Sequence, residues 1–400
     1  MKKLSLTGLL FFSLIIASFP QSNSNLKPFT LTGKIIGENS DRIVLRYCSE
    51  DSKLVQDTVS IKNGAFVFKG NITEPTKAYL IGKNDLNSVQ IYLEPGTMKI
   101  TLTKDKFEEC KMTGSKSQLE LGLLNELEKP INTKSYLLKA QRVKIEDSIK
   151  NTSVDSIKHQ LEKREEEIDN RWMQNREYLN SIWLQFVLDH PKSYVTANYL
   201  NMLESNEVIT LDSLKSIFNK LDSSIRNSKY GKLIQDDIRK KENSIAGVNA
   251  PDFKAIDILT NQPVTYSEFK GKDVVLIDFW ASYCRPCREG IPHLKSLYQK
   301  YHSKGFEIIA VSLDWTKKYW ISAIKQDSLE MWHHVWMAER YTDGQAYYTK
   351  DDIYENYCVH PIPVQILIDK AGKIVERWGG NKIDNEKELD EQLAKLFKEN

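Results

Sequence analysis

The sequence is poor in the residues that define several classes of protein. Five cysteines in 400 residues are too few for a disulfide-stapled scaffold, which leaves them available for chemistry. Glycine and proline number only 18 and 12, which excludes collagen-like and low-complexity chains. Neither sign of charge predominates, because 56 basic residues stand against 54 acidic ones. This balance gives no electrostatic footprint for nucleic acid or for a membrane surface. Hydrophobic residues make up 40% of the chain, which is enough for packed cores.

The longest apolar stretch lies at the N-terminus, from Leu4 to Phe19, after Lys2 and Lys3. A basic start followed by an apolar centre is typical of a secretory signal. The stretch is shorter than the ~20 residues that span a bilayer. We therefore expect residues 1–24 to be removed as a signal peptide; an uncleaved signal that anchors the chain is the alternative. The mature chain is then expected in the periplasm or elsewhere outside the cytoplasm, where disulfides persist.

Two different patterns follow the signal. Residues 28–115 contain short β-branched and aromatic runs separated by turn dipeptides such as Asn63-Gly64, which predicts a β-rich domain of the sandwich or barrel type. Residues 116–246 have the periodicity of helices. We interpret them as a helical spacer in which Trp172 and Trp183 belong to the core.

Residues 248–400 form the last predicted domain, which starts within a linker at 247–251. Beyond the linker, strands and helices alternate in the order β-α-β-α-β-β-α. Val274–Trp280 is a continuous apolar run of the kind that forms a buried strand. The predicted fold class is therefore multidomain α+β, with a C-terminal α/β domain built on a mixed sheet.

The pair Cys284-Arg-Pro-Cys287 lies between this strand and the next predicted helix. A helix N-terminus presents unpaired N–H groups and the positive end of a dipole, both of which stabilise a thiolate. We expect Arg285 and Arg288 to add positive charge beside it. The alternatives are half of a zinc site, for which no second ligand pair is recognisable, and a structural disulfide.

The stretch Asp278-Phe-Trp-Ala-Ser-Tyr-Cys-Arg-Pro-Cys287 resembles the active-site signature of the thioredoxin superfamily. From residue 250 to about 397 the chain is similar to the TlpA/ResA branch of secreted thiol-disulfide oxidoreductases. Residues 311–314 and 362–372 also carry this likeness. The β-rich region resembles, more weakly, a domain of unknown function that is often fused ahead of such domains.

The resemblance implies roles for individual residues. Cys284 would be the exposed attacking thiol and Cys287 the resolving thiol of a redox-active disulfide. Pro363 would be a cis-proline beside that disulfide, and Asp278 a buried acid that exchanges a proton with the resolving thiol; an exposed acid at the strand end is the alternative for Asp278. The expected contacts to substrate are Trp280, Tyr283, Arg285, Pro286 and Ile362.

The sequence departs from the family pattern at the third position after the second cysteine. The family commonly has Glu there, but this chain has Gly290, with Glu289 one residue earlier. One residue turns a helix by about 100°, so we expect Glu289 to point elsewhere and Asp278 to be the acid that matters.

Three cysteines remain outside the pair. Cys48 and Cys110 either form a disulfide or remain as two buried free thiols. Cys358, five residues before Pro363, is expected to be a packed cysteine rather than an additional redox thiol.

Together these observations predict an extracytoplasmic thiol-disulfide oxidoreductase that forms mixed disulfides with protein substrates. No cofactor and no metal are implied. The resemblance favours a reductase that acts on apocytochrome c, as in cytochrome c biogenesis, or on misbridged secreted proteins, with a membrane thiol reductant as electron donor. The alternatives are a peroxiredoxin-like peroxidase and a binding module whose redox domain is vestigial.

Overall fold

The computed structural model describes residues 26–49, 53–83, 87–337, 341–342, 345–346, 353–359, 361–379 and 385–398. The expected signal peptide lies outside the described residues. The chain divides into two compact units, Met1–Leu119 and Glu120–Asn400. In the described part, no helix has the length and apolar character needed to cross a membrane.

The described residues of the first unit form eight strands in two four-stranded sheets. The strands are β1 Lys27–Ile36, β2 Arg42–Cys48, β3 Leu54–Ser60, β4 Ala65–Ile72, β5 Thr76–Ile81, β6 Ser88–Leu93, β7 Gly96–Thr103 and β8 Lys106–Thr113. Their orders are β4-β1-β7-β8 and β3-β2-β5-β6. Inward residues of both sheets, such as Leu31 and Leu80, share one apolar core, which is the packing of a β-sandwich.

The sequence pattern did not predict β3 and β8, which are both edge strands. Residues of β3 are almost all exposed, and β8 carries charges along its length. An edge strand has only one neighbour and is commonly protected by charged residues, so it lacks the apolar alternation on which the prediction depended.

The second unit begins with a helical region. The helices of this region are α1 Lys116–Asn151, whose first four residues belong to the first unit, α2 Asp155–Asp189, α3 Tyr194–Ser205, α4 Leu211–Lys220, α5 Ser223–Arg226 and α6 Lys229–Glu242. The Thr210 hydroxyl accepts a hydrogen bond from the Ser213 N–H at 3.2 Å and so caps α4. The prediction that Trp172 belongs to the core is wrong. Its side chain is 41% exposed and lies beside Arg176, whereas Trp183 donates a hydrogen bond to the buried Glu128.

The rest of the second unit contains a five-stranded mixed sheet. Its elements are β9 Lys254–Ile256, β10 Pro263–Thr265, β11 Val274–Trp280, α7 Arg285–Tyr301, β12 Phe306–Ser312, α8 Lys317–Asp327, β13 His333–Trp336, β14 Tyr341–Thr342, β15 Gln345–Ala346, α9 Ile353–Tyr357, β16 Val364–Ile368, β17 Ile374–Gly379 and α10 Asn385–Leu396. The sheet order is β13-β12-β11-β16-β17. β11, β12 and β13 run parallel, whereas β16 is antiparallel to both β11 and β17.

The central strand β11 is buried along its whole length, because apolar layers cover both faces of the sheet. The sequence pattern missed β13, a short edge strand. The segment 247–251, predicted as a linker, is held against the β16–β17 hairpin, since Gly247 N–H and Ala250 N–H donate to the Ile374 and Gly372 carbonyls, each at 2.8 Å.

Arg377 of β17 joins the helical region to the segment that precedes Pro363. Its guanidinium donates to the carbonyls of Tyr357 at 2.6 Å and Cys358 at 3.1 Å, and to the Ser244 hydroxyl at 3.2 Å. Glu207 lies 3.5 Å away, and both side chains of this ion pair are only 14% exposed. One largely buried cation therefore holds three separate parts of the chain.

We predict that Arg377→Met lowers the free energy of unfolding of the second unit by about 3 kcal/mol, because it leaves buried carbonyls and a carboxylate without their partner. The matched control is Arg239→Met, which removes an exposed ion pair with Asp236 and should cost about 0.5 kcal/mol or less. All eight tryptophans follow residue 119, so denaturant titration followed by tryptophan fluorescence reports on this unit alone. Equal losses in the two variants would contradict the role given to Arg377.

Candidate redox site

The cysteine pair lies where β11 ends and α7 begins. β11 is rich in β-branched and aromatic residues, which suit a fully buried strand. Cys284 is the N-cap of α7, and Pro286 occupies the first turn, where its missing N–H costs no hydrogen bond. The helix therefore begins at Arg285, and Cys287 lies in its first turn.

The sulfur atoms of Cys284 and Cys287 are bonded to each other. The Cys287 N–H also donates to Cys284 Sγ at 3.3 Å, which is the contact that would stabilise a thiolate at the helix N-terminus. The expectation that Cys284 is exposed and Cys287 shielded does not hold for this oxidised pair, because their exposed fractions are 7% and 8%. Position in the helix, and not accessibility, distinguishes the two sulfur atoms.

The two arginines contribute less positive charge than expected. Arg285 Nε donates to Glu289 at 2.8 Å, and this hydrogen bond raises the pKa of Arg285. Arg288 forms a bidentate pair with Asp327, at 2.8 and 2.7 Å. Each guanidinium is thus matched by a carboxylate, which leaves the helix terminus as the main source of positive potential at Cys284.

The segment with Pro363 meets the cysteine pair at the same edge of the sheet. β16 pairs with β11 so that Val364 lies opposite Phe279. Because the two strands are antiparallel, the start of β16 is level with the carboxyl end of β11. The peptide bond between Ile362 and Pro363 is cis, and both residues are partly exposed.

Asp278 is only 5% exposed and lies on the sheet face that α7 covers. Side chains alternate along a strand, and the neighbours of Asp278 on its own face, Leu276 and Trp280, belong to the same core cluster as both cysteines. Burial raises the pKa of Asp278 to about 6, against the lowering effect of a hydrogen bond from Gln365. Such a carboxyl group can both hold and release a proton near neutral pH.

The predicted substrate contacts do not all reach the surface. Tyr283 is 59% exposed, and the side chains of Arg285 and Pro286 are exposed as well. Trp280, in contrast, is 1% exposed and is part of the core, which does not fit the contact predicted for it. Its position on the inward face of a buried strand makes it a packing residue.

Two residues that the sequence reasoning missed hold the site together. Asp314, at the end of β12, accepts hydrogen bonds from the Ser282 N–H at 2.8 Å and from the hydroxyls of Ser282 and Ser312. This buried carboxylate therefore fixes the turn that precedes Cys284. Gln365 donates to Asp278 at 3.1 Å. Neither contact has a local sequence signal, since each joins strands that are distant along the chain.

The other cysteines lie apart from the pair. Cys48 is an exposed thiol, Cys110 a partly buried one, and Cys358 a buried one. Cys48 and Cys110 therefore form neither a disulfide nor a pair of buried thiols. Burial and, next, the charge of Asp237 raise the pKa of Cys358 to about 12, as suits a packed cysteine. Within the described part of the chain, no three His, Cys, Asp or Glu side chains are arranged as metal ligands.

Comparison with known families matches residues 271–374 to a thioredoxin-like family and residues 29–121 to a domain of unknown function. Among known proteins, the thiol-disulfide oxidoreductase ResA of Bacillus thuringiensis is 33% identical over 164 residues, which is 41% of this chain and 86% of that protein. The ResA of Oceanobacillus iheyensis is 42% identical over 142 residues, which is 34% of this chain and 67% of that protein.

Among solved structures, the thioredoxin domain of a thiol-disulfide oxidoreductase from Bacteroides vulgatus is 33% identical, with a TM-score of 0.30. The match covers 36% of this chain and 96% of that domain.

We predict that, after reduction, Cys284 is alkylated at neutral pH about 10-fold faster than Cys48, because the helix terminus favours its thiolate. Cys358 should react last, since burial disfavours its thiolate. The measurement is the rate of iodoacetamide labelling of each cysteine against pH, followed by mass spectrometry of peptides. In the denatured protein all five should react alike. A Cys284 that labels no faster than Cys48 would remove the argument for an activated thiol.

Proposed function

This chain belongs to the ResA-like thiol-disulfide oxidoreductases of the thioredoxin superfamily, and we propose that it works outside the cytoplasm as a reductase of protein disulfides. One observation carries the proposal. The Cys284–Cys287 pair, the segment of Pro363 and the buried Asp278 converge at one edge of one sheet.

The first step is attack on the substrate. The reduced Cys284 thiolate attacks one sulfur of a protein disulfide and forms a mixed disulfide. The substrate's other sulfur leaves as a thiolate and takes a proton from water. The partly exposed segment at Ile362 and Pro363 supplies backbone groups beside the attacked sulfur.

The second step releases the substrate. The Asp278 carboxylate takes the proton of the Cys287 thiol, and the resulting thiolate attacks Cys284 Sγ. The mixed disulfide breaks, the second substrate thiolate leaves and is protonated, and the Cys284–Cys287 disulfide forms. The substrate has gained two electrons and two protons, which a thiol reductant, proposed to be membrane-bound, restores to the enzyme.

The surface around the pair suits a polypeptide substrate. Tyr283 and Trp315 are 59% and 74% exposed, and the Asp314–Ser282 hydrogen bonds hold their two loops side by side. Large exposed aromatic side chains are typical of surfaces that bind other chains. The proposed substrates are apocytochrome c and misbridged secreted proteins. No contact in the described residues favours a peroxidase or a vestigial binding module.

We predict that Cys287→Ser traps the substrate. The variant can still attack through Cys284 but lacks the thiol that releases the substrate, so a covalent adduct should accumulate that dithiothreitol dissolves. Both variants, Cys287→Ser and its control Cys284→Ser, would be expressed in the cell envelope and compared on non-reducing gels, with mass spectrometry of the trapped partners. Adducts from Cys284→Ser alone would reverse the two roles. Adducts from neither would favour the binding module.

We also predict that Asp278→Asn slows insulin reduction at neutral pH by up to about 100-fold and abolishes the fall in wild-type rate as the pH drops below about 6. The variant should nevertheless be more stable than the wild type. The pKa of Asp278 rises on folding from 3.8 to about 6, so the proton it binds favours the folded state, and that contribution is lost as pH rises through 6.

The expected gain for Asp278→Asn at neutral pH is up to about 3 kcal/mol, and it should vanish below about pH 4. Denaturant titration by tryptophan fluorescence at pH 4 and pH 7 measures it. A stable variant with unchanged turnover across this range would exclude Asp278 as the proton-exchange group. A variant less stable than the wild type at pH 7 would show that folding does not raise the pKa of Asp278.

A further inference from the structure

Asp278 has one hydrogen-bond partner among the described residues, the side-chain amide of Gln365 at 3.1 Å. The two residues are directly opposite each other in the pairing of β11 with β16. Gln365 shares its face with Leu367, which packs in the same core cluster as the two cysteines. The amide therefore meets the carboxyl group on the face of the sheet that α7 covers.

No other described residue that neighbours Asp278 across the sheet can donate a side-chain hydrogen bond to its carboxyl group. On the opposite side, β12 presents Ala310, which has no polar side-chain atom. Beyond Ala310, β13 carries His334, two strands and therefore about 10 Å away. Burial lowers the pKa of His334, and its ring is bonded to the Leu329 carbonyl.

The remaining charged or titratable groups on this face are also accounted for. Next to Gln365, β17 carries Trp378, whose indole N–H donates to Glu388 of α10 at 2.8 Å. From α7 and its N-cap, the titratable groups in the same cluster are the two cysteines, which titrate only when reduced, and Tyr298 and Tyr301. These tyrosines lie eleven and fourteen residues beyond Cys287, about 16 Å or more along the helix, and the Tyr298 hydroxyl donates to the Met331 carbonyl at 3.0 Å. Gln365 is thus the polar side chain, among the residues that the structure describes, that can control the ionisation of Asp278.

We propose that Gln365 is a positioning residue for the redox reaction, whose amide holds the Asp278 carboxylate ionised and oriented for proton exchange with Cys287. The inference rests on the proposed function, because it assigns a second residue to the proton step. The residue that it adds to the proton step lies outside the Cys284–Cys287 motif. Gln365 follows Pro363 by two residues, so the strand that begins directly after the proposed substrate-binding segment also supplies the donor.

The physical reason is the competition between burial and hydrogen bonding. Burial disfavours the charged carboxylate, whereas a hydrogen bond donated to it favours the charged form. The two effects oppose each other at Asp278, and the hydrogen bond from Gln365 is the lowering contribution. Without the donor, less carboxylate is available at neutral pH to accept the proton of Cys287.

The test compares two substitutions with opposite expected effects. Gln365→Met has similar size but no donor, and should raise the apparent pKa of Asp278 by about one pH unit. Gln365→Lys keeps a donor and adds positive charge, and should lower it. A purely structural defect cannot produce shifts of opposite sign. The control Gln90→Met replaces a half-buried strand glutamine of β6 and should change neither measurement.

Two measurements are made on the wild type and on each variant. Carbon-13 NMR of labelled aspartate in the oxidised protein, with the Asp278 signal identified by its loss in Asp278→Asn, gives the titration without interference from the thiols. The rate of insulin reduction against pH, with dithiothreitol as reductant, gives the acid limb of turnover. We expect both midpoints to move up in Gln365→Met and down in Gln365→Lys.

The outcomes separate the inference from the function on which it rests. Identical NMR midpoints in all three proteins overturn the role of Gln365, whatever the turnover. If the NMR midpoints move while the acid limb of turnover stays fixed, Gln365 is not a positioning residue and Asp278 is not the proton-exchange group. A wild-type protein that reduces no insulin contradicts the proposed reductase, but that failure is recognised separately, because the NMR titration needs no activity.

Discussion

The antiparallel register between β11 and β16 determines where each group of the redox site lies. It sets Gln365 opposite Asp278 and Val364 opposite Phe279, so Pro363 comes level with the end of β11, where the cysteine turn starts. A slip of one residue would move Asp278 and Gln365 out of contact and turn one of them to the other face of the sheet. The register is secured because β11 is buried on both faces, and any slip would expose apolar side chains or bury polar ones.

The parts of the site that the sequence predicted are those that are local along the chain. The cysteine pair, its place at a helix start and the buried strand before it all lie within fourteen consecutive residues, 274–287. The partners that complete the site are not local. Gln365 and Asp278 are separated by 87 residues, and Asp314 and Ser282 by 32. Hydrophobic periodicity predicts that strands exist, but not which polar side chains meet across them, so these two contacts could only be found in the folded chain.

Charge at the site was overestimated from sequence for a related reason. Arg285 and Arg288 flank the pair in sequence, but a helix brings the residue four positions later to the same side, and Glu289 pairs with Arg285. Asp327, from a different helix, pairs with Arg288. Trp280 was likewise assigned to the surface because it lies beside the motif, although its strand is central in the sheet. Sequence proximity to a reactive residue is therefore weak evidence for contact with its substrate.

β16 couples the proposed substrate-binding segment to the buried carboxyl group of Asp278, because it contacts both. The residues just before it, Ile362 and Pro363, are partly exposed where the proposed substrate chain would bind, and its second residue, Gln365, donates to the buried Asp278 carboxyl group. A hydrogen bond weakens steeply when its angle or length departs from the optimum, so a small displacement of this strand changes how strongly Gln365 stabilises the Asp278 carboxylate. Arg377, on the neighbouring strand, ties the segment before Pro363 to the helical region and so limits that displacement. The helical region, although it carries none of the proposed reacting groups, thereby helps to fix the geometry of the proposed proton exchange.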